Sequence, residues 1–152
     1  MEDAKGKVLT RLQSQCAKKE CCSSDVLAKA LKALDGDMDA AREILASLVK
    51  DSYVDDFRYA SAFARDKASL AGWGPVKIRF ALAAKKIDRE TVDRALEEVD
   101  PQKADDRLER LMAAKKKTLE GDPQIKLKLI KFALTRGYGY DKVASVTEKL
   151  LK

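Results

Sequence analysis

The residues of this 152-residue chain that could do chemistry are few, and they do not converge. Cys16, Cys21 and Cys22 supply thiols, Asp55 and Asp56 supply adjacent carboxylates, and there is no histidine anywhere. A four-ligand zinc site needs a second cysteine pair or histidines, so the three thiols read as reduced, with Cys16 on the inner face of the first helix. Two neighbouring carboxylates could hold a metal or exchange a proton, but nothing else gathers around them. Their plain role is to cap the helix that begins there and to favour its positive end. With no cysteine–base pair, no phosphate-cradling glycine loop and no metal set, an enzyme is not expected, nor is a cofactor or a metal.

What remains is charge. The net charge is +6. Residues 1–51 carry nine basic and nine acidic groups, residues 52–101 carry nine of each, and residues 102–152 carry thirteen basic and seven acidic. The whole surplus therefore lies in the last third. Such a concentration suits a polyanion or an acidic protein surface. It is equally compatible with an ordinary solvated helix face, and the composition does not choose between the two.

The elements that must position these groups repeat every 51 residues. Leu27, Ile78 and Leu129 are in register, as are Ala41, Val92 and Val143; Ile44, Ala95 and Val146; and Leu48, Val99 and Leu150. Asp37, Asp88 and Gly139 share a further register, and all three residue types favour a helix N-cap. A fixed period marks stacked supersecondary units, which build extended surfaces for holding partners. Apolar residues recur at helical spacing throughout, and no segment alternates with period two. Helices are expected over about 4–18, from Ser23 or Ser24, from Asp37, over about 55–70, from Pro75, after Asp88, after Asp100-Pro101, after Asp122-Pro123, and over about 140–151. The third-repeat helix carrying Leu108, Leu111 and Met112 is expected to fade into Lys115-Lys116-Lys117. The fold expected is all-α, with three tandem three-helix repeats at 1–51, 52–100 and 101–152 stacked into an elongated, curved molecule. No run approaches the roughly 20 apolar residues of a membrane span, and the first residues lack the apolar run of a secretory signal. A cytoplasmic monomer is expected.

The second unit carries a recognisable pattern. Tyr53-Val54-Asp55-Asp56-Phe57-Arg58-Tyr59-Ala60, then Phe63, Arg65 and Gly72-Trp73-Gly74-Pro75-Val76-Lys77-Ile78, resembles the central signature of the RecX family of bacterial recombination regulators. Leu82, Lys85-Lys86-Ile87 and Arg136-Gly137-Tyr138 also match positions of that family. One residue departs from it: Lys86 stands where the family usually has a glycine, which would allow a left-handed helix end, so the local turn is expected to differ. The resemblance implies a fold of tandem three-helix repeats. It also implies a non-enzymatic protein that lodges in the groove of the RecA–DNA filament and inhibits strand exchange, ATP hydrolysis and co-protease activity, in recombination, DNA repair and the SOS response. The alternative from composition is a helical repeat that binds single- or double-stranded DNA without RecA.

Tyr59 and Phe63 lie at i and i+4 and read as core. Trp73, in a glycine-flanked turn, either packs or waits for a partner. Lys77 and Lys128 are 51 apart, as are Lys85 and Arg136, so basic positions recur on equivalent helices. With Trp73, Lys86, Lys115, Lys116, Lys117 and Lys131 they form the candidate partner- or DNA-binding set, although each alone is an ordinary surface residue.

Overall fold

The computed structural model describes residues 3–152, which form nine α-helices and no strand. They are α1 (Ala4–Lys18), α2 (Ser23–Ala33), α3 (Met38–Lys50), α4 (Asp56–Ser69), α5 (Pro75–Ala84), α6 (Arg89–Glu97), α7 (Pro101–Thr118), α8 (Ile125–Thr135) and α9 (Tyr140–Leu150). No helix among the described residues is long and apolar enough to cross a membrane.

The 51-residue period is written into the backbone as a turn. Asp35, Lys86 and Gly137 all take a left-handed conformation, with φ of 53°, 61° and 93°. One residue later, Gly36, Ile87 and Tyr138 donate their N–H to the carbonyls of Leu31, Leu82 and Ala133. The left-handed residues themselves donate to Lys32, Ala83 and Leu134. These paired bonds are the Schellman ending, which satisfies carbonyls that the helix leaves open. The next helix then starts two residues on, at Asp37, Asp88 and Gly139. Asp37 accepts from the Ala40 N–H at 3.1 Å and Asp88 from the Thr91 N–H at 2.8 Å. That bond, first among its causes, holds the Asp88 carboxyl below its usual range. The turn at Lys86 thus does not differ from the others: a lysine adopts the conformation that glycine would adopt more cheaply, at a cost of about 1 kcal/mol.

The chain divides into two compact units. One comprises the chain up to Ala62 together with Leu82–Ala95; the other comprises Phe63–Ala81 and Leu96–Lys152. In the first, α1, α2 and α3 pack on one another around Val8, Leu12, Cys16, Val26, Ala30, Ile44 and Leu48. In the second, α7, α8 and α9 enclose Leu108, Met112, Leu129, Ala133, Tyr138 and Val143. Thr147 is buried among apolar residues of α9, its hydroxyl satisfied by the Val143 carbonyl at 2.7 Å.

Several local expectations need correction. The α2 cap is neither Ser23 nor Ser24 but Cys22, whose side chain makes no cap bond to the helix backbone. The cap bond comes from a distant residue, since Asp56 accepts from the Ser23 N–H at 2.7 Å. Asp55 caps its own helix through the Arg58 N–H at 3.0 Å. The adjacent carboxylates therefore serve two helix starts. Tyr59 and Phe63 are only half-buried, and α4 buries Ala60, Ala64 and Ala68 completely, because small residues allow close approach along that stripe. The α7 helix does not fade at its lysines but runs on to Thr118. Lys115, Lys116 and Lys117 lie in its last turn, where positive charge complements the helix dipole. Asp122-Pro123 precede a turn instead of opening α8, which begins at Ile125.

The three thiols are free and buried. Burial, followed by the hydrogen bond with Cys21, pushes the Cys16 thiol up to about 12, and burial also raises Cys22. Reactive thiolate is therefore scarce at neutral pH. Maleimide labelling of the native protein at pH 7.5 is expected to be far slower than in denaturant, and equal rates in the two states would contradict this packing. Lys86→Gly is expected to raise stability by up to about 0.5 kcal/mol in urea denaturation, the left-handed penalty less the added freedom of the unfolded chain.

Candidate binding surface

In the second unit, two glycine-containing segments meet backbone to backbone. The Gly74 N–H donates to the Arg136 carbonyl at 2.7 Å and the Val76 N–H to the Gly137 carbonyl at 2.8 Å. The Tyr138 hydroxyl donates to the Gly72 carbonyl at 3.1 Å. No side chain fits in this seam. A Cβ on Gly74 would lie 2.5 Å from the Gly137 carbonyl, and one on Gly137 would lie 2.2 Å from the Lys77 Cβ. The seam joins the start of α5 to the turn between α8 and α9, and it fixes the side chains that flank each glycine.

On the α5 side, Trp73 is half-buried with its ring edge-on to Phe63, centroids 6.1 Å apart. Lys77 Nζ sits 4.4 Å and Lys67 Nζ 4.8 Å from the Trp73 ring centroid. Both are within cation–π range. Behind the ring is a hollow of about 200 Å³ lined by Ala68, Trp73, Pro75, Ile78, Leu96 and Val99, together with Pro101 and Ala104.

On the α8 side, half-buried Phe132 lies under the Arg136 guanidinium at 5.0 Å and Lys115 Nζ at 5.5 Å. A shallow depression of about 380 Å³ is lined by Lys115, Lys128, Lys131, Phe132 and Arg136 with Leu119 and Thr135. Lys128 is neutralised by Asp122 at 2.6 Å, and that contact, first among its causes, holds the Asp122 carboxyl below its usual range. Asp122 therefore remains charged to lower pH than an ordinary aspartate, and Lys128 is released only as pH falls through that depressed value. Lys67, Lys77, Lys115, Lys131 and Arg136 have no carboxylate partner among the described residues. On the same unit Arg65, Lys142 and Lys149 pair with Glu98, Asp105 and Glu109.

Of the ten candidate residues, the depression gathers Lys115, Lys128, Lys131 and Arg136, and the ring of Trp73 gathers Lys77. Lys116 and Lys117 lie beside Lys115 at the end of α7. Lys85 and Lys86 belong to the first unit. There Lys85 pairs with Asp25 at 3.0 Å, and its carbonyl accepts from the Ser24 hydroxyl at 2.6 Å. The contact with Asp25 raises the lysine's pKa. Two members of the surface, Lys67 and Phe132, escaped the sequence reading. The signal was present for both, because Phe63–Lys67 and Lys128–Phe132 sit at four-residue spacing within α4 and α8, which places each pair on one helix face.

The comparisons with known proteins agree with one another. Residues 55–96 match the family model described as RecX, second three-helix domain. A regulatory protein RecX from Clostridium botulinum (strain Alaska E43 / Type E3) is 30% identical over 121 residues, covering 76% of this chain and 55% of that protein. One from Salmonella typhimurium is 27% identical over 113 residues, covering 74% of this chain and 68% of that protein. The chain thus spans about half the length of its clostridial relatives. A crystal structure of RecX from Lactobacillus salivarius superposes with a TM-score of 0.80 at 19% identity, covering 99% of this chain and 98% of that one. A second crystal structure of a regulatory protein RecX gives 0.85 at 22% identity over 96% of this chain and 72% of that one. These two likenesses concern the fold.

The seam makes a sharp prediction. Gly137→Ala, which places a Cβ inside the Lys77 side chain at a left-handed position, should cost about 3 kcal/mol or more. Gly121→Ala, also left-handed at φ 84° but with open space around it, should cost about 1 kcal/mol. Urea denaturation of the two variants measures the contrast, and equal losses would show that close packing at Gly137 is unimportant.

Proposed function

We propose that this chain, which belongs to the RecX family, is a regulatory protein that binds the RecA–DNA filament and restrains its recombinase, ATPase and co-protease activities. The reading draws on family membership for the partner and on the α8 depression for the means. A filament of recombinase on DNA is a polyanion with a repeating protein wall. It suits a binder that offers cations not already neutralised by its own carboxylates. Lys115, Lys131 and Arg136 meet that description, and Phe132 beneath Lys115 and Arg136 supplies a floor. Lys116 and Lys117 extend the positive charge along the end of α7, whereas Lys128 is paired with Asp122. Cations poised over aromatic rings lose little freedom when an anion arrives, which lowers the cost of ordering them. Many such contacts along a filament add through effective concentration.

The test is RecA ATPase on single-stranded DNA with substoichiometric protein added. Strong inhibition supports the proposal, and no effect at excess removes it. Binding to naked single- and double-stranded DNA without RecA is measured in parallel, and tight binding there would favour the nucleic-acid reading instead. Replacing Lys115, Lys131 and Arg136 together by Ala should weaken binding to RecA-coated DNA. It should also lower the slope of log affinity against log salt by up to about 2, if each cation meets one phosphate of a single strand. An unchanged slope would remove the α8 depression from the contact surface.

A further inference from the structure

The hollow behind Trp73 differs in kind from the basic depression. Its lining is apolar throughout: Trp73 and Ile78 on the α5 side, Ala68 at the end of α4, and Leu96, Val99 and Ala104 opposite. Pro75 and Pro101 complete it, and neither offers an N–H. About 200 Å³ of space bounded in this way has no hydrogen-bonding demand to satisfy. It matches one large apolar side chain, on a scale smaller than a cofactor or drug-sized pocket. The Trp73 ring that forms one wall carries charge. Lys67 and Lys77 hold their ammonium groups over the Trp73 ring, and neither has a carboxylate partner among the described residues. An apolar socket whose aromatic wall carries two uncompensated cations is complementary to an apolar residue flanked by acids. Nucleic acid would satisfy the two cations but would leave the apolar socket unexplained.

We infer that the Trp73 hollow is a socket for one apolar side chain of an acidic segment in a protein partner, with Lys67 and Lys77 reading the flanking carboxylates. Trp73 then acts as the anchoring wall, the position where large aromatic residues concentrate binding energy. The inference rests on the proposed function only in taking the partner to be a protein, and it does not require that protein to be RecA. Pro75, which forms part of the socket, lies between Gly74 and Val76, whose N–H groups bond across the seam, so this wall of the socket is held by backbone bonds.

Trp73 is the only tryptophan in the chain, so its fluorescence reports the socket directly. The probe is the hexapeptide Asp-Asp-Leu-Phe-Asp-Asp, titrated into the full chain to millimolar concentration. A saturable shift of Trp73 emission is expected, and it should be absent when Leu and Phe of the peptide are both Ala. Ala104→Phe, which fills the socket from a half-exposed position of α7, should weaken the response about tenfold or more, as a blocked apolar pocket does. Lys67→Glu with Lys77→Glu should weaken it by a similar factor without adding bulk to the socket. Circular dichroism verifies that each variant remains folded. No shift with the hexapeptide, an equal shift with its Ala form, or an oligothymidylate that shifts emission as strongly would each overturn the inference. RecA ATPase inhibition is measured on the same variants. A socket that binds peptide while the chain leaves RecA unaffected would retain this inference and remove the proposed function, and the opposite pattern would do the reverse.

Discussion

The contact between Gly74 and Gly137 is the constraint on which the second unit depends. Two backbone segments distant in sequence approach until no side chain can stand between them, and the Gly74 and Val76 N–H groups donate to the Arg136 and Gly137 carbonyls at 2.7 and 2.8 Å. Buried backbone groups must find partners, and here one segment supplies the donors and the other the acceptors. This explains why a glycine-rich turn precedes α5 and why a second one follows α8. It also locates the functional groups. Trp73 and Lys77 flank one glycine, Arg136 precedes the other, and the Tyr138 hydroxyl ties the assembly to the Gly72 carbonyl.

Around that seam the unit holds cations of two contrasting kinds. Arg65, Lys128, Lys142 and Lys149 face carboxylates, and such exposed pairs contribute little to stability. Lys67, Lys77, Lys115 and Arg136 face aromatic rings instead. A ring attracts a cation without neutralising it, so these four remain available to an incoming anion. The net charge of +6 is thus a poorer guide to binding than the fraction of it left unpaired.

The repeat was legible because a helix-ending turn has strict local demands. Each middle helix must stop, reverse through a left-handed residue and restart at a cap, and residues able to do so recur at Asp35–Asp37, Lys86–Asp88 and Gly137–Gly139. Lys86 misled the reading because propensity describes cost, whereas two Schellman bonds and the next cap decide whether the cost is met. Tyr59 and Phe63 misled it because helical spacing identifies a stripe but not which stripe faces inward, and α4 buries its alanines. The α2 start was beyond any local rule, since its capping carboxylate, Asp56, is 33 residues away.

The sequence by itself determined the helices, the 51-residue period, the family resemblance and the basic character of the last third. All of these depend on neighbours within a few turns or on simple counting. Which lysines are spent on carboxylates and which rest on rings was decided only by tertiary structure. So was the apolar hollow behind Trp73, because its walls come from residues between Ala68 and Ala104 that no spacing rule brings together. The physical reason is range. Periodicity and capping act along the chain, whereas charge pairing and cavity shape depend on which distant backbones can approach, and in this unit two glycines set that approach.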